Sequence, residues 1–184
     1  HRAMDTLRSI TLFVAAAVAE IGAIGLGHML DAIGADLSRV GVEFDEWFRE
    51  HSLFDTKKYD QAIRMLEERG YVGEREGAVW FLSSALGEDK DNVIVRSTGQ
   101  PTYFASDIAY HWDKLVGRGF DRVIDIWGAD HQGHVPRMKA VLQALDLDPE
   151  RLTIIIAQLV TLKSGGDIVR ASKRTGQIVT LADL

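Results

Sequence analysis

The sequence contains no cysteine. That excludes a disulfide framework and a thiolate metal site, and it fits a cytoplasmic protein. Long apolar runs are missing too. The most apolar stretch, "ITLFVAAAVAEIGAIGLG", is interrupted by Glu20 and by glycines well short of the ~20 residues a membrane span needs, so no membrane partner is expected. It lacks the basic start and small-residue cleavage site of a signal peptide. There is no internal repeat and no low-complexity tract. A basic surplus is also absent: 27 acidic side chains against 21 basic ones give a formal net charge of −6. This argues against broad nonspecific nucleic-acid binding but leaves room for a local basic site.

What is present is ordinary for a globular protein. With 46% apolar and 26% charged residues over 184 positions, the chain can form one domain, or a compact domain with an appendage. Residues 5–20 have helical spacing in Leu7, Ile10, Phe13, Val14, Ala17 and Val18. A glycine-rich break follows, and Leu26, Met29, Leu30, Ile33 and Leu37 predict a second helix ending near Gly41. "FDEWFREHSLFD" is amphipathic and aromatic. Asp55 or Thr56 is expected to cap a helix whose apolar face is Tyr59, Ile63 and Leu66, with Gly70 as its stop. "YVGEREGAVWFL" predicts a hairpin turning at Gly77.

The pattern changes after "GEDKD". "NVIVRS", residues 92–97, reads as a strand. Ala105, Ile108, Ala109, Trp112, Leu115 and Val116 predict a helix ending at Gly117–Gly119. "RVIDIW", residues 122–127, reads as a strand. Val135, Met138, Leu142 and Leu145 mark another helix, and "LTIIIAQLVTL", residues 152–162, reads as a strand buried on both faces. Strand and helix in alternation predict an α/β fold, here half of a doubly wound parallel sheet. It is preceded by a mainly helical segment with a hairpin. The expected division is 1–90 and 91–184. Ligands of such sheets sit at the C-terminal ends of the strands.

Three polar clusters fall at such ends. In "GQPTYFASDIAYHW", Tyr103 and Asp107 are four apart and share a helix face. Asp107 also fits a plain first-turn helix acid, and Tyr103 fits a core or rim residue. In "WGADHQGH", Gly128 leads from strand into helix, with Asp130, His131 and His134 crowded after it; glycine and a helix start admit anionic or ribose oxygens. A zinc reading of Asp130, His131 and His134 lacks a third strong ligand, and a local cap by Asp130 is the bland alternative. In "LKSGGDIVRASKRTG", Gly165-Gly166 suits a hairpin turn. Arg170, Ser172, Lys173, Arg174 and Gly176 follow without apolar periodicity. A glycine-flanked loop of lysine and arginine suits phosphate oxygens, although a solvated charged loop gives the same pattern.

"GQPTYFASDIAYH", "DIWGADHQGHVPRMKAVLQAL" and "IVRASKRTGQIVTLADL", in that order, resemble the C-terminal half of the catalytic domain of arginyl-tRNA synthetases, a class I family. The segments "DLSRVGVEFDEWFREHSLFD" and "GAVWFLSSALGEDKDNVIVRSTGQPTYF" resemble the insertion that precedes it. The resemblance covers roughly residues 30 to 184. It implies an arginine–tRNA ligase, which joins arginine to ATP as arginyl-adenylate and passes it to tRNA. Its partners are arginine, ATP with Mg2+, and tRNA; no structural metal is implied. Arg170, Ser172 and Lys173 would be catalytic, in a loop whose family pattern is Lys-Met-Ser-Lys-Arg and which here reads Arg-Ala-Ser-Lys-Arg. Gly128, Asp130, His131, Lys173 and Arg174 would hold ATP, and Tyr103 and Asp107 would read the arginine guanidinium. The family's His-x-Gly-His segment has no counterpart here; "GLGH", Gly25–His28, reads as coincidence. The implied object is a fragment, inactive alone. The competing classes are a stand-alone nucleotide- or arginine-binding module and a non-catalytic truncated paralogue.

Overall fold

The structure is a computed structural model that describes residues 2–158, 160, 161, 163, 164, 167, 168 and 181. The expected basic loop, Arg170, Ser172, Lys173 and Arg174, lies outside the described residues, as do Gly165 and Gly166. The chain divides into two compact units, residues 1–47 with 162–184, and residues 48–161.

The first unit holds helix α1, Arg2–Arg39, as one uninterrupted element. The break expected at its glycines does not occur. Each glycine costs a helix roughly 1 kcal/mol relative to alanine, which weakens it without forbidding it. A β-carbon at Gly22, Gly25 or Gly27 would meet nothing within 4 Å, so packing does not demand glycine there. The "GLGH" segment thus sits in mid-helix and not at a strand end. Trp47 lies 3.7 Å from where a Gly34 β-carbon would stand, and its ring meets Phe44 edge-on. Two short strands of the same unit, Lys163–Ser164 and Asp167–Ile168, pair antiparallel.

The second unit is built on a shared core. Helix α2 is a single turn, Ser52–Asp55, and α3 spans Lys58–Glu68, burying Tyr59, Ala62, Ile63 and Leu66. Neither Asp55 nor Thr56 caps α3. Both are used at the end of α2, where the Thr56 hydroxyl donates to the Ser52 carbonyl at 2.6 Å, and Lys57 turns into α3 with φ 57°. Strands β1 (Val72–Arg75) and β2 (Ala78–Phe81) form the expected hairpin. Its two-residue turn, Glu76 and Gly77, has φ of 54° and 73°, the mirror-image geometry that matches strand twist.

Strand β3, Asn92–Val95, was expected to open the parallel sheet; it instead adds antiparallel to β2. Its short apolar run carries no mark of pairing direction, and the neighbouring hairpin edge is the nearest partner in sequence. Helix α4, Tyr103–Trp112, runs on through a π-turn at Asp113–Gly117. Strand β4, Val123–Gly128, and β5, Leu152–Ala157, pair in parallel from Val123 opposite Leu152 to Gly128 opposite Ala157, joined through α5, Val135–Ala144. This is the parallel strand–helix–strand unit of a Rossmann-like α/β fold. β5 ends five residues earlier than expected and alternates buried and exposed positions, with Ile155 half exposed, so only one of its faces is covered among the described residues.

Leu53, Leu66, Phe81, Ile94, Ile108, Leu142 and Leu152 meet in one core that ties α3, the hairpin sheet, α4 and the parallel pair together. Truncating one such side chain to alanine typically costs about 2–5 kcal/mol.

Candidate active site

The site is a cleft of about 750 Å³ between α4 and the end of β4. Thr102 fixes the start of α4. Its side chain accepts from the Ala105 N–H and donates to the Val93 carbonyl at 2.9 Å, tying the helix to β3. Asp107 is therefore the fifth residue of α4, beyond the first turn, and the first-turn helix acid reading falls away. Asp107 lines the large cleft and also a smaller hollow of about 270 Å³, which it shares with Phe48, Glu50, Tyr103, Ser106 and Tyr110. Tyr103 stands at the rim of that hollow, 82% exposed.

Asp107 is solvent-accessible yet sits on concave ground. Displacement of water by surrounding protein pushes its carboxyl above the usual range. The Glu50 charge adds to this rise, while His111, Lys114 and Arg137 oppose it. Among the described residues, neither the Asp107 nor the Glu50 carboxylate has an ion-pair partner. The hollow thus presents two acids and three aromatic rings without a resident cation, a combination suited to a flat cationic group.

At the other end of the cleft, Gly128 closes β4. A β-carbon on it would stand 2.6 Å from an Asp130 carboxylate oxygen, so glycine lets Asp130 fold back over the strand end. Asp130 and His131 lie in a 3₁₀ turn, Ala129–His134, where their side chains approach to 3.7 Å and both remain largely exposed. His131 meets Trp127 edge-on at 6.4 Å and His134 at 5.3 Å. Burial, with the nearby Arg137 and His131 charges, lowers the His134 pKa and favours the neutral ring. Gly128, His131 and His134 line the cleft with Asp107; Asp130 does not. Among the described residues, no group of three or more histidines and acids is placed to hold a metal ion.

Several cleft residues escaped the sequence reading. His111, Lys114 and Asp125 form a buried network on the cleft floor. Arg137 donates to the Asn92 side-chain oxygen at 2.6 Å and lies over the Phe104 ring. Glu50 comes from the segment before α2. Two signals were available. Asp107, His111 and Lys114 recur at helical spacing, and Asp125 interrupts an apolar strand.

The family model for class I tRNA synthetases (R), catalytic domain, matches residues 27–184. An arginine–tRNA ligase of Dehalococcoides mccartyi is 55% identical over 165 residues, which are 90% of this chain and 30% of that protein. An arginine–tRNA ligase of Carboxydothermus hydrogenoformans is 54% identical, over 89% of this chain and 29% of its own length. A crystal structure described as an arginyl-tRNA synthetase from Campylobacter jejuni superposes with a TM-score of 0.77 at 38% identity, covering 85% of this chain and 34% of that one. The chain spans about 30% of the length of the curated relatives it matches.

Proposed function

The chain belongs to the class I arginyl-tRNA synthetase family, and on that premise we propose that it is the part of an arginine–tRNA ligase that reads the arginine side chain and receives ATP. The arginine carboxylate attacks the α-phosphorus of ATP, the bond to the β-phosphate breaks, and pyrophosphate leaves. A hydroxyl of the terminal tRNA adenosine then takes the arginyl group and AMP departs. In this reading residues 1–90 are the insertion-type segment and 91–184 the second half of the nucleotide-binding fold. A cytoplasmic setting follows from a role in translation.

The observation that supports it best is the hollow beside α4. Asp107 and Glu50 offer carboxylates to a guanidinium, which can take them as charge-assisted pairs, while Tyr103, Tyr110 and Phe48 supply ring surface. Across the cleft, Gly128 and His131 suit the adenosine moiety, which the helix-leading turn can approach closely, and Asp130 stands beside them at the strand end, outside the cleft lining. ATP enters as its Mg2+ complex. Lys173 steadies the departing pyrophosphate, Ser172 orients its loop, and Arg170 and Arg174 add positive charge to it. A stand-alone binding module is not favoured, because the likeness to arginine–tRNA ligases runs over 90% of the chain.

The test is ATP–pyrophosphate exchange by a complete synthetase carrying these residues, with arginine, lysine or citrulline as substrate. Citrulline keeps the shape of arginine and lacks its charge. Exchange should require arginine. Equal exchange with citrulline would remove the role given to the two carboxylates.

A further inference from the structure

Asp125 occupies an odd place. It points from β4 to the same side as Val123, which is buried, and Trp127, which packs on the core. An apolar residue would fill that position at no electrostatic cost. Instead the Asp125 side chain is 11% exposed and bound on both oxygens. Lys114 donates to Oδ1 at 2.7 Å and His111 Nε2 lies 2.6 Å from Oδ2. The other ring nitrogen of His111, Nδ1, lies 2.7 Å from the backbone carbonyl of Asp107. A carbonyl only accepts, so Nδ1 carries a hydrogen. Burial alone would raise the Asp125 carboxyl, but the contacts with His111 and Lys114 outweigh it and hold the pKa at about 2. Asp125 is therefore an ionised acceptor toward both of its partners.

The network reaches the small hollow along two routes. His111 grips the carbonyl of Asp107, one helical turn before it. Lys114 sits 4.4 Å over the Tyr110 ring, and Tyr110 stacks on Phe48 at 4.1 Å, which makes two walls of that hollow. Buried ion networks of this kind are often no more stable than an apolar filling of the same volume. Stability alone thus gives no reason for this one.

We infer that Asp125, through His111 and Lys114, is a positioning residue that holds α4 against β4 so that Asp107 and Tyr110 stand where a guanidinium meets them. This rests on the arginine-side reading proposed above. The strand partner does not move when the network is lost, because β4 is fixed to β5 along its whole length. The effect should therefore fall on arginine and spare ATP.

The experiment replaces the network by an apolar filling, Asp125→Leu with His111→Leu and Lys114→Met, in a complete synthetase, beside Asp107→Asn as a control. The expected result is a melting temperature equal to or above that of the parent, an arginine KM raised about tenfold or more, and an ATP KM within about twofold. A folded triple variant with unchanged arginine KM, while Asp107→Asn raises it, overturns the positioning role and leaves the arginine reading intact. An unchanged arginine KM in Asp107→Asn overturns that reading and the inference with it. Nitrogen NMR on the histidine-labelled parent covers the case in which the triple variant does not fold. His111 ring signals that move when arginine is added support the role; signals indifferent to arginine overturn it.

Discussion

Asp107→Asn gives the most direct check on the arginine hollow. The substitution keeps the size of the side chain and removes its charge. Each of the two bonds a guanidinium fork makes to a carboxylate is worth roughly 1.5–3 kcal/mol, against about 1 for a neutral pair, so losing the charge costs roughly 0.5–2 kcal/mol per bond, or about 1–4 for the bidentate pair. Asp107 is solvent-accessible at the junction of the two cavities, so water screens part of that gain. Glu50 remains in the hollow and retains some attraction. Both points favour the lower end, about 1.5–2 kcal/mol, or roughly 10–30-fold in arginine affinity.

The pH dependence adds a second signature. Burial and the Glu50 charge raise the Asp107 carboxyl above its ordinary value of 3.8. Guanidinium binding needs the ionised form. Arginine affinity in the parent should therefore climb as pH rises through that raised value and level off above it. In the asparagine variant this acidic limb should shrink to what Glu50 supplies. The assay is ATP–pyrophosphate exchange with arginine varied at saturating ATP, paired with equilibrium dialysis of labelled arginine, since KM equals Kd only when chemistry is slow. Unchanged arginine affinity together with weakened ATP binding would refute the assignment, and so would an acidic limb identical in the two proteins.

Other outcomes follow from single contacts. Gly128→Ala places a β-carbon 2.6 Å from the exposed end of Asp130, which can swing away; thermal melting should barely change while the ATP KM rises. Gly117→Ala puts its β-carbon 2.5 Å from an oxygen of Asp113, which is fully buried and paired with Lys58 at 2.7 Å. That group cannot yield, and urea titration should show a loss of about 1–3 kcal/mol. Asp125 has a depressed folded pKa of about 2, so its stabilisation, about 2 kcal/mol, is present above the ordinary carboxylate pKa and lost as pH falls through the folded value; Asp125→Asn should flatten that part of the acid unfolding curve. Lys173→Ala should slow single-turnover adenylate formation by two to three orders of magnitude, about 3–4 kcal/mol, with little change in ATP Kd. A raised Kd at an unchanged rate would make the loop a static binding patch.

Much of the second unit was legible because its signals are local. The α3 stripe, the Glu76-Gly77 turn and the alternation of β4, α5 and β5 each follow from a few adjacent residues. Pairing direction was not legible. "NVIV" reads equally well as a parallel or an antiparallel strand, and only the hairpin beside it decides. Helix α1 was divided wrongly because glycine was taken as a stop, when it is only a weak helix former. In the site, Tyr103, Asp107, Gly128 and His131 were visible from their place after strands. Glu50 was not. It lies 57 residues before Asp107, and nothing in its own neighbourhood marks it as facing the same hollow.

The residues that escaped share a physical trait. Glu50, His111, Lys114 and Asp125 each act through a contact made across the fold. Asp125 breaks the apolar pattern of its strand, and the sequence alone cannot say whether such a break is a surface position or a buried charge. The distinction depends on whether His111 in α4 and Lys114 in the π-turn that continues it, one and two turns on from Asp107, face that strand. They do so because Thr102 fixes where α4 begins. Moving the start of the helix by one residue would rotate its faces by ~100° and carry His111 away from Asp125. The cap at Thr102 thus governs the geometry of a site that it does not touch. Thr102→Val keeps the shape of the side chain and removes the capping oxygen, at a typical cost of about 1 kcal/mol. If the register of α4 is what aligns Asp107 with the hollow, this variant should raise the arginine KM more than the ATP KM. If α4 is held by its core residues alone, the variant should lose stability and leave both constants where they were.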